Sequence, residues 1–272
     1  MTATPLPAGA CDCHMHVCED RWPLAPTALS QPPHAPVAAY REVHQSLGLS
    51  RVVIVQPTAY GLDNRCTLEA LAQFGDAGRA VVVVDAQVSD AELQRMHAAG
   101  VRGVRFQMLP GGALPWEALE PVAARIASLG WHINLQMDGA QFPEYVARLS
   151  RLPLPLVIDH NGKFLQPPEP DAPAVLAVRR LLDGGRCWIK LSAPYETSRT
   201  GAPAYEDVSA LARRFAHDYP ERCLWASNWP HLGRNPRPDD AALLALLLQD
   251  WAPDARAAQR ILVDNAEAVY GF

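Results

Sequence analysis

The sequence contains no uninterrupted apolar stretch of the roughly 20 residues that a membrane-spanning helix needs. It also contains no cluster of basic residues: its 24 lysines and arginines are scattered along 272 residues, and the formal net charge is −5. Neither a nucleic acid nor a membrane surface is therefore expected as a partner. The first ten residues lack the basic and apolar regions of a signal peptide. These absences predict a soluble, cytoplasmic protein.

The cysteines do not have the spacing of a common metal or redox motif. Six are present, and the pair Cys11 and Cys13 lacks the C-x-x-C spacing typical of such sites. Since alternate side chains of a strand share a face, Cys11 and Cys13 are expected on one face, with Asp12 and His14 on the other. Buried, reduced thiols are the favoured interpretation, and they also favour the cytoplasm.

Short β-branched runs alternate with longer amphipathic stretches throughout the chain. Runs such as VVIV and VVVV are apolar on both faces, as in a parallel sheet covered on both sides. The pattern predicts eight strands, at 10–17, 51–56, 80–86, 101–107, 131–137, 154–160, 187–192 and 223–228. It predicts helices at 36–48, 67–78, 89–99, 116–129, 141–150, 172–183, 204–219 and 239–250.

Eight successive strand–helix units favour closure into a (β/α)8 TIM barrel that occupies 1–272 as one domain. An open, doubly wound sheet shows the same alternation and is the alternative. In a barrel, catalytic side chains lie at the carboxyl ends of the strands. The polar residues at these predicted ends are His14, His16, Gln56, Asp85, Arg105, Gln136, Asp159, His160, Lys190, Ser192 and Asn228.

His14 and His16 form the most informative pair. Two histidines at positions i and i+2 of a strand point to one face, where they can bind a metal or polarise a substrate oxygen. Alone, the H-x-H pattern also fits two packed histidines. The further polar strand ends, including His160 and Asn228, favour a catalytic site.

Several motifs in order resemble the amidohydrolase superfamily, and within it the branch of the 2-pyrone-4,6-dicarboxylate lactonases. They are Asp12-x-His14-x-His16, GVRF at 103–106, VIDHNGK at 157–163, WIK at 188–190, WASNWPH at 225–231 and ILVDN at 261–265. The resemblance spans nearly the whole chain. It implies a distorted (β/α)8 barrel that reversibly hydrolyses the ester bond of a lactone without a metal.

The resemblance also implies roles for individual residues. His14, His16 and His160 are expected to be catalytic, stabilising the carbonyl oxygen as it gains negative charge. Arg105 is expected to hold a substrate carboxylate with its planar donor fork. A structural ion pair is the alternative role for Arg105.

The positions that hold metals in other amidohydrolases carry unsuitable residues here. Strands four and five offer Arg105 and Gln136; arginine cannot be a ligand, and glutamine is a poor one for zinc. Strand eight ends in Asn228 and offers no carboxylate. We therefore expect no metal and no other cofactor.

Asn228 departs from the lactonase pattern, in which an aspartate at this position acts as general base. An amide cannot accept a proton at neutral pH, so a loss of about 100- to 10,000-fold is expected relative to an Asn228→Asp variant. Three explanations are open. The asparagine is an introduced, inactivating substitution; or it is natural and His160, His231 or a glutamate replaces the base; or the chain binds ligands with little activity.

The loops predict a lactone with one carboxylate or sulfonate that is well held. Glu196 stands where the resemblance leads us to expect an arginine, so Arg65 or Arg199 is needed if a second cation reaches the site. Substrate contacts are predicted for Arg105, Gln136, Tyr195, Asn64 and His231. The expected partner is a small anionic lactone: 2-pyrone-4,6-dicarboxylate, a muconolactone or a sugar-acid lactone.

Two other functions remain as alternatives: a metal-dependent amidohydrolase or decarboxylase, and a catalytically weak ligand-binding barrel. Within the site, Asp159 is expected to face the helices because it precedes His160, and Lys190 is expected to pair with a carboxylate. The sequence leaves the oligomeric state open, a homo-oligomer included.

Overall fold

The computed structural model describes residues 6–272 and shows eight parallel strands in sequential order, β1 to β8. The strands are Cys11–Met15, Arg51–Val55, Gly78–Val82, Val101–Gln107, His132–Gln136, Leu156–Ile158, Cys187–Leu191 and Cys223–Trp225, numbered β1 to β8. Each pairs in parallel with the next. All eight predicted strands are therefore confirmed, although β6 and β8 are shorter than expected and β3 begins two residues earlier.

A helix follows every strand, as the alternation predicts. The helices α1 to α7 are Val37–Ser46, Arg65–Phe74, Asp90–Ala99, Leu119–Ile126, Phe142–Leu149, Pro173–Asp183 and Glu206–Asp218. After β8 come α8, Asp240–Leu246, then α9, Ala255–Gln259, and α10, Asn265–Tyr270, joined by two π-helical turns. The helices beyond residue 250 were not predicted from the sequence.

The barrel closes between β1 and the segment after β8. The main-chain N–H of Asn228 donates to the carbonyl of His14 over 2.9 Å, and that of His16 donates to the carbonyl of Trp229 over 2.8 Å. Asp12 accepts bonds across the same seam from the N–H and hydroxyl of Ser227. The first strand of the barrel therefore meets the segment after the last strand, at residues expected to be functional. This closure supports the (β/α)8 fold over an open sheet.

The interior below the seam is apolar. It is filled by alternate residues of several strands, together with an aromatic ring of α10: Cys11, Cys13, Val53, Val55, Val81, Val157, Leu224, Ala226 and Tyr270. All six cysteines are buried free thiols, as predicted. His132, at the start of β5, packs against Tyr270 and lies at this closed end.

One expectation about β1 was wrong. Asp12 and His14 were predicted to share a face, but the Asp12 carboxylate accepts a hydrogen bond from Tyr40 of α1, whereas His14 contacts Asp159 and Lys190. The reason is an irregular register between Asp12 and Met15, which interrupts the alternation of side chains.

None of the helices within residues 6–272 combines the length and the apolarity needed to cross a membrane. The predicted absence of a signal peptide concerns the first ten residues, and residues 1–5 of these lie outside the described part of the chain.

Candidate active site

The loops at the carboxyl ends of β6, β7 and β8 have unusual backbone conformations. Within the described part of the chain, every non-glycine residue with positive φ lies in these three loops: His160, Asn161, Lys163, Ala193, Tyr205, Asn228 and His231. A left-handed conformation costs an L-residue roughly 1–2 kcal/mol. Such conformations cluster at functional sites, where the surrounding structure imposes them.

An inner cluster, formed by Asp159, Lys190 and Asn134, lies beneath the histidines. All three residues are fully buried. The Lys190 ammonium lies 3.1 Å from Asp159 Oδ1 and 3.1 Å from His14 Nδ1, and it donates to Asn134 Oδ1 over 2.5 Å. Asn134 in turn donates to Asp159 Oδ2 over 2.7 Å. The three protons of the ammonium thus have three acceptors.

This geometry corrects the expected orientation of Asp159 and explains its charge. Asp159 faces the interior because the strand alternation continues from Val157 and breaks only at His160, whose φ is +51°. Burial would raise the pKa of Asp159, but Lys190 and His14 outweigh burial and hold the pKa well below its usual value. The predicted pairing of Lys190 with a carboxylate is confirmed.

The hydrogen-bond partners of His16 define the tautomer of its ring. His16 Nδ1 lies 2.8 Å from the carbonyl oxygen of Val55, which can only accept, so this nitrogen carries the proton. In the neutral ring His16 Nε2 is then an acceptor, and it lies 3.2 Å from His14 Nε2. His14 Nδ1 lies 3.1 Å from two groups of opposite character: the Lys190 ammonium, which donates, and Asp159 Oδ1, which accepts.

Burial lowers the pKa of His16 to about 3 and that of His14 well below its ordinary value, which favours the neutral form of both rings. Burial also lowers the pKa of His160 well below normal. The ring of His160 lies 4.8 Å from that of His14, and its Nδ1 is 2.8 Å from the hydroxyl of Ser192. The structure thus brings the three predicted histidines together.

Arg105 projects from β4 into the same space and is only 5% exposed. Its guanidinium donates to the carbonyl of Gln56 over 2.9 Å and to Gln136 Oε1 over 3.0 Å. Its Nε has no hydrogen-bond partner, and the guanidinium forms no ion pair, within residues 6–272. Since a buried cation without a counter-charge is costly, the arrangement is suited to an anionic ligand and does not match a structural ion pair.

An outer cluster, formed by Glu196, Lys163 and Asn228, lies at the mouth of the barrel. Lys163 forms an ion pair with Glu196 Oε2. Asn228 Nδ2 donates to Glu196 Oε1 over 2.9 Å and to the hydroxyl of Tyr195 over 2.9 Å. Because a carboxylate can only accept, the nitrogen of the amide must face Glu196, and the orientation of Asn228 follows from its partners.

Tyr195 connects Asn228 to a further pair of side chains. The Tyr195 hydroxyl lies 2.8 Å from His231 Nδ1, and His231 Nε2 lies 3.0 Å from Asp240 Oδ1. Both nitrogens of His231 are therefore engaged with protein groups. This histidine positions the loop after β8, whereas the substrate contact predicted for it stays a prediction.

Other predicted residues have structural partners. Asn64 donates both amide protons to main-chain carbonyls and accepts from the N–H of Val83, so it has no free donor for a substrate. Gln136 reaches the site, where it holds Arg105. Arg65 pairs with Asp63, and the exposed Arg199 forms no side-chain bond within the described residues. A substrate contact of Arg65 or Arg199 stays a prediction, and the cation found beside Glu196 is Lys163.

The donor atoms of His14, Asp159 and His160 lie within 4.8 Å of one another, as a metal site would require. The Lys190 ammonium, however, is 3.1 Å from both His14 and Asp159 and uses their acceptor atoms. A divalent cation would have to displace this ammonium or lie beside it, where the positive charges of Lys190 and Arg105 would repel it. The residues present therefore do not fit a metal.

The sequence alone missed the contributions of Asn134, Lys163 and Glu196 to these two clusters. Asn134 carried a detectable signal, since it is a polar residue two positions before Gln136 on the same face of an apolar strand. Lys163 and Glu196 lie on loops after different strands, and no local pattern predicts their contact.

A cavity of about 620 Å³ lies against the loop after β8. Its lining includes His231, Arg234, Arg237, Leu29 and Thr58; no residue of the two clusters lines it, and of the predicted site residues only His231 does. Arg234 also donates to the carbonyl of Glu196 over 3.0 Å. The space accommodates a small molecule, and its charged lining is basic.

Comparison with known proteins supports this picture. The chain is 38% identical over 270 residues to D-galactarolactone isomerase of Agrobacterium fabrum, covering 97% of this chain and 92% of that protein. It is 36% identical over 277 residues to a 2-pyrone-4,6-dicarboxylate hydrolase of Comamonas testosteroni, covering 97% and 91%. An apo crystal structure of an Agrobacterium tumefaciens protein superimposes with a TM-score of 0.93 at 38% identity, covering 98% of this chain and 97% of that one.

The model of the family described as amidohydrolase matches residues 11–272, which include every strand of the barrel and every residue of both clusters. The predicted superfamily is thereby confirmed: the chain belongs to the amidohydrolase family.

Proposed function

We propose that this protein is a metal-independent enzyme that acts on the ester bond of a small anionic lactone. The observation that carries the proposal is Arg105: a 5% exposed guanidinium with an unpartnered Nε and no carboxylate partner among the described residues. A carboxylate on the substrate would supply that partner and would orient the lactone ring above the histidines. The names of the relatives, a lactone isomerase and a dicarboxylate hydrolase, support the substrate class.

The contact with Lys190 suits His14 for activating a carbonyl. When Nδ1 of His14 accepts from the Lys190 ammonium, electron density is withdrawn from the ring and its Nε2–H becomes a stronger donor. When this donor turns from His16 to the lactone carbonyl, it stabilises the negative charge that develops on the oxygen. Asp159 Oδ1 lies at the same 3.1 Å from Nδ1, and in this arrangement the carboxylate accepts from Lys190 and Asn134, so His14 acts as an electrophile.

Asn228 leaves the end of strand eight without a base. Its amide has no basic site and cannot take a proton from water. A hydroxyl group of the substrate itself is held next to the carbonyl and needs less assistance, because an intramolecular reaction avoids the entropy cost of a second reactant. We therefore favour transfer of the acyl group between two hydroxyls of one polyhydroxylated acid, which is lactone isomerisation.

Hydrolysis is the second candidate, favoured by the 36% identity to a hydrolase over 97% of this chain. The two reactions differ in whether they release acid. Hydrolysis releases one carboxylic acid for each lactone opened, whereas isomerisation releases none.

The test is to incubate the protein with sugar-acid lactones, a muconolactone and 2-pyrone-4,6-dicarboxylate, with and without chelator. Ring isomers are followed by 1H NMR and acid release by pH-stat. We expect interconversion of five- and six-membered lactones, unaffected by chelator, with little acid release. Stoichiometric acid release would establish hydrolysis instead. Loss of activity with chelator, or no activity on any lactone, would reject the proposal.

A further inference from the structure

The hydrogen bond between Asn228 and Glu196 joins two positions at which the chain departs from the lactonase pattern. The resemblance leads us to expect an aspartate at 228 and an arginine at 196, and the chain has an amide and a carboxylate. The structure places these two side chains 2.9 Å apart, from Asn228 Nδ2 to Glu196 Oε1. Relative to the lactonase pattern, the carboxylate is thus lost at the end of strand eight and present instead on the neighbouring loop after β7.

Glu196 is held by side chains from the loops after β6 and β8. Oε1 accepts from Asn228, whose main-chain N–H bonds to the carbonyl of His14, and Oε2 pairs with Lys163. Each carboxylate oxygen can accept two hydrogen bonds, so both oxygens keep capacity for another donor. The side chain is 18% exposed, which leaves it open to the mouth of the barrel.

We propose that Glu196 is the proton acceptor of this site and takes the place of the missing aspartate. This inference rests on the proposed lactone chemistry. Asn228 then serves as the positioning residue that holds the carboxylate, and Lys163 keeps it ionised.

In the isomerisation, the carboxylate of Glu196 takes the proton of the attacking substrate hydroxyl as its oxygen bonds to the carbonyl carbon. The carbonyl π electrons move to the oxygen, which His14 stabilises. When the tetrahedral intermediate collapses, the bond from carbon to the original ring oxygen breaks, and that oxygen takes the proton from Glu196. The products contain the same atoms as the substrate, and Glu196 is again a carboxylate.

The groups that face Glu196 set its response to pH. Lys163 comes from the loop after β6, Arg234 from the loop after β8, and Tyr195 is its neighbour in sequence and bonds to the same amide. His231 and Asp240 lie one step further, beyond Tyr195. The two nearby cations favour the ionised carboxylate.

The first experiment measures kcat and KM for lactone isomerisation against pH in Glu196→Gln and Glu196→Asp. We expect Glu196→Gln to lower kcat by about 100- to 10,000-fold, with a smaller change in KM, and Glu196→Asp to recover part of the rate. Glu144→Gln, the same change at an exposed position on α5, is the control and should behave as the native protein. A change in kcat below about threefold in Glu196→Gln would overturn the inference.

Lys163→Gln separates a proton acceptor from a merely structural ion pair. Without the ammonium, the Glu196 carboxylate loses the cation with which it pairs, so the acidic limb of the kcat profile should move to higher pH while the rate on its plateau is largely kept. An equal loss at every pH would indicate that the ion pair only supports the fold, and would contradict the proposal.

The second experiment returns the carboxylate to strand eight. Asn228→Asp alone would set two carboxylates against each other across 2.9 Å, so its gain in hydrolysis should fall well short of the increase expected from the sequence. The double variant Asn228→Asp/Glu196→Gln restores an amide–carboxylate pair with reversed positions, and it should hydrolyse lactones at least tenfold faster than Asn228→Asp.

The outcomes distinguish the two proposals. If the native protein isomerises lactones and Glu196→Gln does so equally well, the inference about Glu196 fails and the proposed function stands. If the native protein acts on no lactone by either assay, the proposed function fails and the role of Glu196 fails with it.

Discussion

The inner and outer clusters contain the same three types of side chain in different surroundings. Asp159, Lys190 and Asn134 form the inner cluster, and all are fully buried. Glu196, Lys163 and Asn228 form the outer cluster at the mouth, where the side chains of Glu196 and Lys163 are 18% and 10% exposed. In each cluster the carboxylate accepts from both the lysine and the amide.

The two clusters differ in whether they have hydrogen-bonding groups left for a ligand. In the inner cluster the three ammonium protons of Lys190 have three acceptors, and the residues project from regular strands or directly after one. The outer cluster lies on loops with positive φ, and Glu196 can accept further bonds. The inner cluster, whose hydrogen bonds are all made within the protein, therefore positions His14. The outer cluster, whose carboxylate can accept further bonds, is available to react with a substrate.

Substitution of the two lysines should separate the clusters most strongly. Lys190→Met leaves Asp159 as a buried, uncompensated charge, and we expect it to lower the free energy of unfolding by about 3–5 kcal/mol. Lys163→Met, its matched control, leaves a carboxylate that water can reach, and a loss of about 1 kcal/mol or less is expected. Denaturant unfolding of both variants measures this; equal losses would contradict the distinction.

Acid should destabilise the protein through histidines buried around the inner cluster. The folded state lowers the pKa of His14, His16, His132 and His160, and burial is the main cause for each. The unfolded chain binds protons at these residues below about pH 6.5, and the folded protein does not, so stability falls as the pH drops below that value.

Between pH 7.5 and 5.5 each of these histidines should contribute between about 1 and 1.5 kcal/mol to the loss, or about 5 kcal/mol together. Asp159 does not add to the loss in this range, because its lowered pKa affects stability only below about pH 4. Guanidinium unfolding at the two pH values measures the effect. A stability that is unchanged at pH 5.5 would show that the folded protein binds protons at these rings as readily as the unfolded chain does, which would contradict the lowered pKa values.

Arg105 extends the comparison to a buried cation that has no carboxylate partner in either cluster. Arg105→Lys keeps the charge and loses the planar fork, and we expect KM for an anionic lactone to rise by about 10- to 100-fold, as hydrogen bonds to charged groups contribute about 1.5–3 kcal/mol. Arg65→Lys changes an arginine already paired with Asp63 and should leave KM unaltered. A KM unaffected by Arg105→Lys would place the substrate carboxylate elsewhere.

The sequence predicted the barrel well because each strand is a local apolar run. It also predicted the three histidines and Arg105, since polar residues that end apolar strands are conspicuous. Orientation failed where the backbone departs from regular geometry. Asp12 faces α1 because the register of β1 is irregular, and Asp159 faces inward because alternation ends only at His160.

Contacts around the mouth could not be predicted for a different reason. Lys163 and Glu196 come from loops after different strands, so their ion pair depends on how two irregular segments fold over the barrel. Asn64 illustrates the converse. It is a polar residue in a loop near the mouth, and its amide bonds to the main chain after β2 and after β3, which leaves no donor for a ligand. The substrate contact predicted for it stays a prediction.

The seam between β1 and the segment after β8 carries a consequence for assembly of the site. His14 belongs to the first strand of the barrel, and Asn228, whose main-chain N–H bonds to the carbonyl of His14, follows the last. About 210 residues separate them, and neither cluster's carboxylate lies on β1. The histidine pair and the outer cluster therefore come together only when the last strand of the barrel docks against the first.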